Sequence, residues 1–209
     1  MNEHFDGAAV KPSIPYGVAR ALAAGHSFHM NIDARVGALI RLLVATRPGA
    51  NILEIGTGAA VGSSWILAGM DDKSHLDTIE NDPELVANAR KLLEKNHQVN
   101  VIEADADVFL RSCRNESYDF VFSDAGPGKY WSFDLALRLL RSSGLLLMDD
   151  MNPIDGTTVR SETYGEGQQF ASNAERARLT EDLQGRSDLI LVELDYATGV
   201  FLIAKKGNR

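Results

Sequence analysis

The chain has 209 residues, 44% of them hydrophobic, and 21 basic against 29 acidic residues give a formal net charge of −8. That length suits one well-buried domain over 1–209, and no stretch reads as a linker between two. No Lys/Arg run exceeds two residues, so the basic field of a nucleic-acid groove is lacking, and no nucleic-acid partner is expected.

Cys113 is the single cysteine, which excludes an intrachain disulfide, and the N-terminus shows no basic, apolar, small-residue progression of a signal peptide. The apolar runs are strand-sized, far below the ~20 residues that span a bilayer. A cytoplasmic protein with no membrane partner is the expectation.

In chain order, residues 1–31 read as an N-terminal arm and cap segment. Residues 1–15 carry Gly7, Pro12 and Pro15 without periodicity, and Tyr16–Ala24 suits a short helix. An α/β core follows over 32–209. It opens with a helix over Ile32–Ala45, where Val36, Leu39, Ile40, Leu43 and Val44 fall at helical spacing before Pro48-Gly49 ends it. A first strand ends at Glu54-Ile55, and a helix resumes through Leu67. A second strand over Leu76–Ile79 ends at Glu80, and Asp82-Pro83 starts the next helix, acid as N-cap and proline in the first turn. Strands are predicted at Val99–Ile102, Tyr118–Phe122 and Leu145–Met148, and a helix with solvated faces over Gly165–Leu183. Leu189–Leu194 and Val200–Ala204, joined by five residues, suit an antiparallel hairpin.

The most informative stretch is Asn51-Ile52-Leu53-Glu54-Ile55-Gly56-Thr57-Gly58: a buried strand, an acid at its end, then a glycine turn where backbone can approach a ligand closely. A dinucleotide fingerprint would read G-x-G-x-x-G, but the third glycine, Gly62, comes one residue late. Acids recur at or just past the predicted strand ends: Glu54, Glu80, Asp105, Asp124, Asp149 and Asp150. Such a row suits a cationic ligand better than a pyrophosphate.

From about Leu39 onward, the E-x-G-x-G pattern and the terminal hairpin resemble the class I S-adenosylmethionine-dependent methyltransferases. Asp124-Ala125-Gly126-Pro127-Gly128-Lys129-Tyr130 and Asp149-Asp150 are similar to the acidic loops of the catechol and caffeoyl-CoA O-methyltransferase group and of related bacterial predicted O-methyltransferases. The resemblance implies an α/β fold: a doubly wound, Rossmann-like seven-stranded sheet, mostly parallel with a C-terminal antiparallel strand, and helices on both faces. It implies S-adenosyl-L-methionine as cofactor, held by Glu54, Gly56, Thr57, Gly58, Ser63, Glu80, Asn81, Asp105, Ala106 and Asp124. Glu80 would accept the ribose hydroxyls, and Asp105 would meet the adenine amino group or cap the following helix. Ser63 or Ser64 would stand in for the serine that relatives aim at the methionine carboxylate.

The same resemblance implies O-methylation of a small-molecule acceptor, with Asp124 and Lys129 catalytic. Asp124, Asp149 and Asp150 would form a divalent-cation set for Mg²⁺ or a similar ion, with Asp150 where relatives have Asn. His29, Met30, Tyr130 and Trp131 would line the substrate pocket, and His26 and His29 are candidate bases in the cap. Two departures stand out: Lys129 lies farther from the aspartate than the family's lysine, and Ala60-Val61-Gly62 replaces Gly-Tyr-Ser. Two rival readings stay open. One is a non-catalytic adenosylmethionine-binding module, favoured by the lysine spacing. The other is a NAD-dependent dehydrogenase, disfavoured by the glycine spacing, the hairpin and the lack of a Tyr-x-x-x-Lys pair. Oligomeric state is open, with the apolar face of the helix at 32–45 favouring a homodimer.

Overall fold

The structure is a computed structural model that describes residues 14–25, 31–152 and 173–206. Seven strands, β1 (Asn51–Ile55), β2 (His75–Glu80), β3 (Val99–Glu103), β4 (Tyr118–Ser123), β5 (Leu140–Met148), β6 (Leu189–Leu194) and β7 (Val200–Lys205), form one sheet in the order β3-β2-β1-β4-β5-β7-β6. β1 to β5 pair in parallel, whereas β7 runs antiparallel to both β5 and β6. The seven-stranded sheet and its closing hairpin therefore stand as read from the sequence. Chain progression reverses between β1 and β4, and such a switch point opens a crevice at the carboxyl ends of the strands.

Seven helices cover the sheet: α1 (Ile14–Gly25), α2 (Ala34–Ala45), α3 (Val61–Leu67), α4 (Pro83–Leu93), α5 (Ala106–Ser112), α6 (Phe133–Leu139) and α7 (Asn173–Gln184). Successive strand residues alternate between two apolar clusters. Leu53, Ile55, Val121, Leu146 and Met148 belong to one, while Ile52, Phe120, Phe122, Leu145 and Leu147 belong to the other. Both faces are thus buried, which is why these strands read as continuous apolar runs. Among the described residues no helix is long and apolar enough to cross a membrane.

Helix starts follow their caps. Asp82 accepts from the amides of Glu84 (2.8 Å) and Leu85 (3.1 Å) with Pro83 in the first turn, as read from the sequence. α2 begins two residues later than the periodicity suggested, because Asp33 caps it by accepting from Arg35 N at 2.8 Å. The apolar face of α2 is used inside the chain: Val36, Ile40 and Val44 are buried in one cluster with Ala19 of α1 and with Trp65 and Ile66 of α3. That face is therefore not free for a partner copy, although Leu42 remains exposed. The described part of α7 starts at Asn173, and it is not solvated all round, since Arg176, Leu179 and Leu183 are buried.

Gly37 of α2 lies directly on the indole of Trp65, so that a Cβ there would collide with the ring. Gly37→Ala gains up to ~1 kcal/mol of helix propensity but overpacks a closed core, for a net loss of about 1–2 kcal/mol. Thermal denaturation should show a midpoint roughly 2–8 °C lower. A midpoint at or above wild type would show that the α2–α3 contact is looser than described.

Candidate active site

A cavity of about 340 Å³ opens where β1, β2 and β4 end, and its walls include Glu54, Gly56, Glu80, Asp105, Asp124 and Lys129. Five sequence-predicted positions thus share one wall with the glycine turn. Thr57, Gly58, Asn81, Ala106, Tyr130 and Asp150 line it too.

The turn after β1 is shaped by backbone. Gly56 and Gly58 take φ of 96° and 52°, and the amides of Gly56 and Thr57 both donate to the carbonyl of Ile79 at 3.0 Å. Glu54, 1% exposed, accepts through Oε2 from the hydroxyls of Ser63 and Thr78, the latter at 2.6 Å. Thr57 and Thr78 share a further hydroxyl contact of 2.6 Å. Oε1 of Glu54 has no hydrogen-bond partner among the described residues. Burial pushes the Glu54 carboxyl up to about 7, opposed by the Ser63 and Thr78 hydroxyls and reinforced by Glu80. Gly62 is glycine for want of room: a Cβ would run into that same Oε1 and come within 3.2 Å of the Phe122 ring.

Glu80 is held from three sides. Its Oε2 accepts from Gly58 N at 2.9 Å, and its Oε1 accepts from Asn81 N at 2.8 Å and Asp82 N at 3.1 Å. Oε2 keeps acceptor capacity, so the carboxylate is fixed in direction yet still able to accept a hydroxyl. Asp105 caps α5, accepting from Val108 N at 3.0 Å, and also borders the cavity. Ser63 and Ser64 do not reach the cavity. Both are fully buried, the first hydroxyl on Glu54 and the second on the Ala60 carbonyl at 2.8 Å, because α3 starts at Val61 and turns them inward.

At the other end stand the loops after β4 and β5. Lys129 is 3% exposed, its Nζ donating to the carbonyl of Asp149 at 2.8 Å and lying 5.6 Å from the centroid of the Tyr130 ring. The Gly-Pro-Gly insert does not carry the lysine away: the amides of Lys129, Tyr130 and Trp131 fold back on the Gly126 carbonyl, returning Lys129 to the cavity wall. Asp124 meets solvent through the cavity but is otherwise enclosed by protein. Burial raises its pKa well above the usual carboxylate range; the Lys129 charge opposes this, while Asp149, Asp150 and Glu54 add to it. Trp131 does not border the cavity. Its ring packs against Gly126, where a Cβ would collide with it, whereas Tyr130 lines the cavity. His26, His29 and Met30 lie outside the described residues.

The cation set implied by the resemblance is not assembled. Asp149 Oδ1 accepts from Asp150 N at 2.7 Å and from the Thr198 hydroxyl, which locks that carboxylate beside the β6–β7 turn, off the cavity wall formed by Asp124 and Asp150. Asp150 itself has φ of 57°, which swings the chain away from its neighbour. Among the described residues no group of three or more His, Cys, Asp or Glu is placed to hold a metal ion. Burial and the Asp150 charge raise the Asp149 carboxyl to about 6, against the Thr198 and Asp150 hydrogen bonds.

Arg176 is the wall residue that sequence reasoning missed. Only 6% exposed, it reaches from α7 to donate through Nη1 to the carbonyls of Asp150 and Asn152, and its guanidinium lies 5.1 Å from the Tyr130 ring centroid. Nothing in an α7 pattern with weak amphipathicity marked it out. Asn31 and Ile32, just before α2, also border the cavity.

Residues 53–151 match the family model described as a methyltransferase domain. A curated relative, the "Putative O-methyltransferase" of Mycobacterium avium (strain 104), is 36% identical over 122 residues, 56% of this chain and 55% of that protein. The chain thus spans about half the length of the curated relatives it matches. Among solved structures, the chain is similar in fold to the O-methyltransferase TomG from Streptomyces achromogenes, solved in complex with SAM. That likeness has 24% identity, a TM-score of 0.78, and coverage of 97% of this chain and 94% of that one. It is also similar to the O-methyltransferase from Bacillus cereus in complex with SAH, with 22% identity, a TM-score of 0.74, and 94% and 93% coverage. These neighbours share with this chain the fold that puts the cavity at the strand ends.

Proposed function

We propose that the chain is an S-adenosylmethionine-dependent methyltransferase acting on a hydroxyl of a small-molecule acceptor. One observation carries the reading: a single cavity joins the backbone-held carboxylate of Glu80 to Asp124 and Lys129 at its far end. The cofactor fits the residues present, since Glu54 Oε1 is a buried acceptor without a partner among the described residues and the glycine turn Gly56–Gly58 lines the cavity. Glu80 would hold a ribose hydroxyl, Asp105 and Ala106 the adenine end, and Glu54 and Asp124 the ammonium end. When bound, the cofactor supplies a methyl group on a sulfonium. Asp124 orients the reacting groups, and Lys129, acting from the neutral form of its amine, takes the acceptor's hydroxyl proton and becomes the ammonium. Positioning of this kind can supply ~7–11 kcal/mol of a transfer barrier.

Calorimetric titration with S-adenosylhomocysteine against NAD tests the assignment. The homocysteine product should bind and NAD should not; the reverse result overturns it. A pH series sharpens the test. Glu54 ionises at about 7 in the free protein, and a bound ammonium favours its charged form, so binding releases a proton. With Glu80 and Asp124 the other acids facing it, affinity should rise by up to about tenfold per pH unit as pH climbs toward 7, then level off. An affinity that stays flat through that range would remove Glu54 from the binding set.

A further inference from the structure

At the Tyr130 end of the cavity the chemistry of the wall changes. The cofactor end is acidic, with Glu54, Glu80 and Asp105, whereas this end presents the guanidinium of Arg176 next to an aromatic ring. Arg176 is more than nine-tenths buried, yet among the described residues only one of its nitrogens is used in hydrogen bonding. Nη1 is shared between the Asp150 and Asn152 carbonyls, while Nε is buried without a hydrogen-bond partner among the described residues. A buried donor left unmet costs about 1–3 kcal/mol, so it persists where something else meets it. The Nε–Nη2 edge of a guanidinium is a two-donor fork matched to the two oxygens of a carboxylate.

We propose that Arg176 selects acceptors that carry a carboxylate, gripping it through this edge while Tyr130 packs on the acceptor's body. The inference rests on the methyl-transfer reading and names the substrate class for it. A single carboxylate suits the wall better than a doubly charged phosphate. One guanidinium charge is offered here, and Asp124 and Asp150 stand on the same cavity wall. The backbone carbonyls that occupy Nη1 aim the remaining edge, so the acceptor would be held at its acid while its hydroxyl lies toward Lys129.

The test pairs small hydroxylated aromatic and aliphatic acids with their uncharged methyl esters, assayed by methyl transfer on wild type, Arg176→Met and Arg176→Lys. S-adenosylhomocysteine affinity is measured first on each protein. Wild type should prefer acid over ester in kcat/KM by roughly 10- to 100-fold. Arg176→Met should erase that ratio, and Arg176→Lys, which keeps the charge but not the fork, should recover part of it. A merely structural role would lower acid and ester together and leave the ratio alone, which overturns the inference, as does a panel in which no acid is favoured over its ester. If S-adenosylhomocysteine fails to bind wild type, the methyl-transfer reading itself falls. If it binds and no acid is preferred, only the carboxylate assignment does.

Discussion

Asp124→Ala should abolish methyl transfer without weakening the fold. Its carboxylate makes no hydrogen bond recorded among the described residues, and it faces the cavity between the glycine turn and Lys129. Its pKa in the folded protein is raised above the unfolded value, chiefly by burial. The sign is then fixed. Protonated Asp124 is favoured by folding, so its stabilising contribution is complete below the unfolded pKa and is lost as pH rises through the folded one. Above the unfolded pKa the burial of this carboxyl is a burden on the native state, and its removal should leave the melting temperature unchanged or slightly higher. The loss appears in the reaction, where a buried charged contact of roughly 2–4 kcal/mol corresponds to about 30- to 1,000-fold in kcat/KM. Stopped turnover with an unshifted or raised melting curve is the expected pair of results. An active variant, or one that melts well below wild type, would show that the carboxylate serves the fold instead.

The second large effect belongs to Lys129. Buried on the cavity wall with its Nζ on the Asp149 carbonyl, it is placed to exchange that contact for an acceptor hydroxyl. Lys129→Met keeps the length and apolar stem of the side chain but removes the proton carrier. Positioned general bases contribute about 10²–10⁴-fold, and kcat should fall by that order. S-adenosylhomocysteine affinity, measured by calorimetry, should hold to within about threefold, because the backbone-held Glu80 and the turn after β1 do not depend on the lysine. A variant with unchanged kcat would return Lys129 to a purely packing role.

Much of this site was legible in the sequence because its cofactor end is written in local chemistry. Glycines after an apolar strand and Asp82-Pro83 at a helix start each depend on neighbours a few positions away, while Glu80, 22 residues beyond Gly58, marks the end of the next strand and meets the turn there. The acceptor end is set by contacts between distant segments, and there the reading thinned. Whether Ser63 faces the cavity or Glu54 depends on the rotation of α3, which the left-handed Ala60 before it sets. Whether Asp149 points at its neighbours or away depends on Thr198, 49 residues later. Trp131 read as a pocket wall by its type, yet its ring sits against Gly126, which leaves it the room a Cβ would take. Arg176 carried no signal, because its burial comes from the loop after β5 rather than from the pattern of its own helix.

The turn between β6 and β7 ties the last strands to the site. Asn152 N donates to the Thr198 carbonyl at 3.0 Å and Met151 N to that of Gly199 at 2.9 Å, beside the Thr198 hydroxyl on Asp149. Gly199 has no room for a Cβ against Asn152. Segment-exchange chimeras among homologous proteins must therefore move residues 149–152 and 195–199 as one unit. A splice that separates them would leave a well-formed sheet whose reacting loop has lost its anchor.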